Sequence, residues 1–69
     1  MSKEMYSLVG IDGNAYSLMG YTQDAMAEQD FSKEEIDAFL RDAQSSDYNH
    51  LVAVCYEKVR ECNERAERK

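Results

Sequence analysis

Apolar side chains recur at two different periods along this chain. Over residues 5–11 they alternate, with Met5, Ser7, Val9 and Ile11 on one face and Tyr6, Leu8 and Gly10 on the other. That is the period of a short strand. Asp12-Gly13 breaks it. Beyond the break Ala15, Leu18, Met19, Thr22 and Met26 recur at threes and fours, which predicts a helix over 15–28 with Asn14 as its N-cap. A second helix over 33–44 is expected to bury Ile36, Phe39, Leu40 and Ala43 and to turn Lys33, Glu34, Asp37 and Arg41 to water. A third, over 47–66, carries Tyr48, Val52, Cys55, Val59, Cys62 and Ala66 at alternating steps of four and three, the spacing of a coiled-coil seam. Leu51 and Val54 widen that stripe only in its first half, so the end of this helix is expected to project from the body. The fold class is therefore mainly α: one three-helix domain over 1–69, preceded by one short N-terminal β-strand.

The second helix has the clearest start signal. Ser32 and Glu35 have the spacing of a capping box, and Phe31 and Ile36 flank it where a hydrophobic staple belongs. Either Ser46 or Asp47 caps the third helix, both being preferred cap residues. Gly20 lies inside the first helix, where glycine costs about 1 kcal/mol against alanine. Close approach of another backbone is the expected reason, with a local kink as the alternative. Glu61 with Arg65 and Glu64 with Arg68 are expected as i,i+4 pairs on the exposed side of the third helix.

Composition adds constraints. A chain of 69 residues buries only about 60% of its unfolded surface and gains from any added burial. Cys55 and Cys62 lie on one predicted helix, ~10 Å apart at Cα, too far for a disulfide. Two free thiols point to a reducing compartment. There is no signal-peptide pattern and no apolar run of membrane-spanning length. The expectation is a soluble, cytoplasmic chain. The net charge of −6 is unevenly spread, with nine acids against two bases between Asp12 and Asp47, but four acids and five bases from Glu57 to Lys69. An acidic surface repels phosphate backbones, which argues against direct nucleic-acid binding.

No chemical constellation stands out. His50 has no cysteine partner on its own helical face, and Cys55 and Cys62 lack the spacing of a zinc pair. Asp12-Gly13-Asn14 starts like a calcium loop but lacks the glycine and the final acid that follow in one. Gly10 and Gly13 are not followed by the Lys-Ser/Thr of a phosphate loop. A helix-turn-helix reading fails because Asp47, Tyr48, Asn49 and His50 would open the reading helix, with no base before Lys58. Neither a metal nor a cofactor is expected. The five tyrosines, Tyr6, Tyr16, Tyr21, Tyr48 and Tyr56, favour at least one contact surface as a group.

The runs Leu8-Val9-Gly10-Ile11-Asp12-Gly13-Asn14-Ala15-Tyr16, Ser32-Lys33-Glu34-Glu35-Ile36-Asp37 and Ser46-Asp47-Tyr48-Asn49-His50-Leu51 together resemble a set of small uncharacterised proteins of bacteria and their phages. The similarity covers residues 8–56. It implies a phage or prophage setting and assigns no activity. Those proteins tend to finish soon after the third helix with an apolar segment suited to pairing with the N-terminal strand. Here residues 61–69 continue as a charged, helix-favouring tail, which leaves the strand without an intrachain partner.

The reading that follows is a non-enzymatic interaction module of phage or prophage type, homodimeric, with an unidentified host or phage protein as a further partner. Tyr6, Leu8, Val59, Cys62 and Ala66 are its expected interface. The alternative is an acidic inhibitor of a host nucleic-acid enzyme that mimics phosphate.

Overall fold

The computed structural model describes residues 5–68. Three helices follow in order, α1 (Ala15–Glu28), α2 (Lys33–Ala43) and α3 (Tyr48–Arg68). α1 packs mainly on α3, and α2 closes the bundle against both. The core between them holds Leu18, Met19, Met26, Phe31, Phe39, Leu51, Val54 and Val59, with Cys55 and Cys62 fully enclosed.

Local chemistry fixes each helix end. Asn14 accepts from Tyr16 N–H and caps α1. At the other end Phe31 N–H reaches Met26 C=O and Asp30 N–H reaches Ala27 C=O. With Asp30 at φ +65°, this is a Schellman stop built on a non-glycine residue. The capping box at Ser32 is complete, with Glu35 N–H donating to Ser32 Oγ at 3.1 Å and Ser32 N–H donating to Glu35 Oε1 at 3.0 Å. Asp47 takes the α3 cap, since its Oδ1 accepts from His50 N–H at 2.9 Å.

Residues 5–11 do not form the expected strand. Among the described residues there is no strand at all. The alternation is real, because Tyr6 and Leu8 are buried while Met5, Ser7 and Val9 are exposed. What the segment lacks among the described residues is a neighbouring strand to pair with. The Asn63 side chain takes that place: Tyr6 N–H donates to its Oδ1 at 2.8 Å, and its Nδ2 donates to Tyr6 C=O at 3.0 Å. The segment also turns earlier than Asp12-Gly13 suggested. Ile11 N–H bonds Leu8 C=O at 3.1 Å, and Gly10 sits at φ +88°, the third position of a tight turn that requires a positive φ.

Three smaller expectations also fail. A Cβ added at Gly20 would meet nothing within 4 Å, so no backbone approaches it closely. The end of α3 does not project. Asn63 is buried and Ala66 half-buried, so the helix stays against the body into its last turns. Arg65 is not a surface partner of Glu61. Its guanidinium lies 3.7 Å over the Phe31 ring, donates to Gln29 C=O at 3.3 Å and approaches Glu35 at 3.8 Å, while Glu61 pairs with Lys58 instead. The tail of α3 is thereby drawn onto the α1–α2 corner. No helix among the described residues is long and apolar enough to cross a membrane.

Candidate functional site

The extended segment 5–9 lies along α3 and leaves a groove between them. Its anchoring starts with Asn63, which is buried. Val59 precedes it by four residues, so the apolar stripe of α3 carries the amide to the inner face. One amide satisfies both backbone groups of Tyr6, as a neighbouring strand would. The Tyr6 phenol then donates to Glu28 Oε1 at 2.8 Å and accepts from Gln29 Nε2 at 2.7 Å. Burial pushes that phenol above its ordinary pKa, the Gln29 bond opposes the shift, and Glu28 adds to it. Ser7 N–H donates to Tyr21 OH at 2.9 Å, and Val9 N–H to Ser7 Oγ at 3.1 Å. The segment is thus tied to α1 and α3 without a sheet.

The groove has a volume of about 460 Å³. Leu8, Val59 and Asn63 form its inner lining, and Glu57 and Arg60 lie at its α3 side. Val9 and Tyr56 also line it, and they remain 83% and 54% exposed. Large apolar side chains left in water beside an apolar-lined recess mark a contact surface. A second cleft of about 310 Å³ lies between Tyr16 and Tyr48 over Met19, Ala43 and Leu51. Its Tyr48 hydroxyl donates to Gly13 C=O, which joins the start of α3 to the turn before α1.

The expected interface residues divide. Tyr6, Leu8 and Val59 line the groove but are buried by the chain's own packing. Cys62 is fully enclosed and Ala66 is half-buried. Of the 3.5-residue seam of α3, Cys55, Val59 and Cys62 are buried in their own domain, Val52 and Ala66 are half-buried, and Tyr48 is exposed. The sequence reading missed Asn63 and Arg65, and also Val9 and Tyr56 as the exposed pair. A polar residue on an apolar helical stripe was the available signal for Asn63. Nothing local pointed to Arg65, because its partners lie some thirty residues away.

His50 and the two cysteines are engaged in structure. His50 Nε2 lies 2.9 Å from Asp42 C=O and 3.2 Å from Asp42 Oδ1, closing the C-terminal end of α2. Both cysteines are free and buried. Burial raises the Cys55 thiol, against a bond from Thr22. Burial first, then Glu61, pushes Cys62 up to about 11, so both thiols stay protonated and unreactive near neutrality. Among the described residues no three His, Cys, Asp or Glu side chains come together as metal ligands would. Compared with known family models, curated proteins and solved structures, the chain matches none of them.

Proposed function

We propose that this chain is a non-enzymatic interaction module that docks a protein in the groove between residues 5–9 and α3. The observation that carries the reading is the exposed pair Val9 and Tyr56 beside an apolar-lined recess. Docking would bury both side chains and use a surface already held in shape, which lowers the ordering cost of binding. The resemblance to small bacterial and phage proteins supports a partner from a bacterium or its phage. Photo-crosslinking in bacterial cells tests this. A benzophenone side chain placed at position 56 should give a discrete protein adduct that is lost with Val9→Asp. The same group at position 34, on the outer face of α2, should give none. Equal labelling from both positions, or none from position 56, would contradict the reading.

A second reading has its own support. All nine acids between Asp12 and Asp47 are exposed, as a phosphate mimic directed at a nucleic-acid enzyme would require. Such binding would weaken steeply with salt, whereas docking of Val9 and Tyr56 would change little.

A further inference from the structure

We infer that the groove face of α3 docks a second copy of this chain, in an antiparallel two-fold contact centred between Tyr56 and Arg60. The inference rests on the docking reading above and names its occupant. A two-fold contact must be self-complementary, because each residue i that meets j is matched by j meeting i. Tyr56 and Arg60 are one helical turn apart, both exposed, and both lining the groove. Antiparallel alignment of two α3 helices sets each Tyr56 ring against Arg60 of the other copy. An arginine over a tyrosine face is favourable, and more so as water leaves. Arg60 forms no ion pair within the described residues, so its guanidinium is free for this contact. Glu57, one residue from Tyr56 and also at the groove, brings a carboxylate to the same level to balance that charge. Val9 then adds apolar area at each flank.

The charge distribution favours a second copy over a strongly charged foreign partner. The chain carries −6 overall, but residues 57–69 hold four acids and five bases. In the antiparallel contact residues 60–68, with three acids and three bases, lie opposite residues 48–56, which hold no acid, lysine or arginine, so identical chains meet there with little repulsion. The acid-rich α1 and α2 belong to the part of the chain that the contact leaves out. The seam of Val59 and Cys62 plays no part, since it is already buried.

Sedimentation equilibrium at micromolar concentration tests the inference on the full chain and three variants, with circular dichroism as the check on folding. The wild type should sediment at twice the chain mass. Arg60→Glu and Tyr56→Ala should each weaken association by about tenfold or more, since each removes two symmetric contacts. Arg41→Glu is the control. It makes the same charge change on the exposed face of α2 and should leave the dimer intact. A wild-type monomer would overturn the inference. So would a dimer indifferent to Arg60→Glu, or one weakened equally by Arg41→Glu. If the chain is monomeric yet position 56 crosslinks to a heavier protein, the docking reading stands and only the second copy is excluded.

Discussion

Helix α2 and the segment 5–9 are held in place by opposite means. α2 carries its own instructions: Ser32 and Glu35 cap it, and Phe39 and Ala43 bury its inner face. Segment 5–9 has no repeating backbone hydrogen bonds. Its position depends on Asn63, fifty-seven residues from Tyr6 in sequence, and on Glu28, Gln29 and Tyr21 from α1 and its end. The helix should keep its form while its packing survives. The segment should detach when a single distant amide is lost. The face proposed to bind belongs to the second kind, so binding and local stability are coupled there.

The largest effect should come from the core under α2. Phe39 is only 2% exposed, and Phe39→Ala should cost about 3–5 kcal/mol. A chain of this size has roughly 3–10 kcal/mol in total, so chemical denaturation should show a variant close to unfolding. Next comes Asn63→Ala, expected to cost about 2 kcal/mol by leaving Tyr6 N–H and C=O without partners. Its signature differs from that of Phe39→Ala, because the helical circular dichroism should stay near that of the wild type. Tyr6→Phe should cost about 1–2 kcal/mol. Gln29 is buried with its Oε1 already unpaired among the described residues, and this change strips the partner from its Nε2 as well. Ser32→Ala should cost about 1 kcal/mol, the loss of a cap.

The same contrast explains what could be read from the sequence. The three helices, the Asn14 cap and the Ser32–Glu35 box were legible because their signals lie within a few residues of each other. The alternation at residues 5–9 was legible too, and it sorted Tyr6 and Leu8 from Met5, Ser7 and Val9. Its meaning was not, because the period reports which face is buried and says nothing of what satisfies the backbone. Asn63 does that from the far end of the chain. Arg65 misled for a related reason. A charged residue four from Glu61 reads as a surface pair, and only the fold brings Phe31 beneath it. The groove was missed along with Asn63, since it exists only where the segment lies on α3.

A further effect concerns pH. Cys62 is shifted upward from 9.0 to about 11 by burial, and Cys55 and Tyr6 shift in the same direction. For a group whose folded pKa is raised, the stabilisation is fully present below the unfolded value and is lost as pH rises through the folded one. Melting temperature should therefore hold steady up to about pH 9 and fall from there toward pH 11. In Cys62→Ala the fall should be shallower, whatever the starting stability.

Amide hydrogen exchange followed by NMR tests the central claim most directly, comparing the wild type with Asn63→Ala. The account predicts that Tyr6 N–H is protected in the wild type and exchanges near the solvent rate in the variant, while the interior amides of α2 keep their protection. An unprotected Tyr6 amide in the wild type, or equal protection in both proteins, would contradict it.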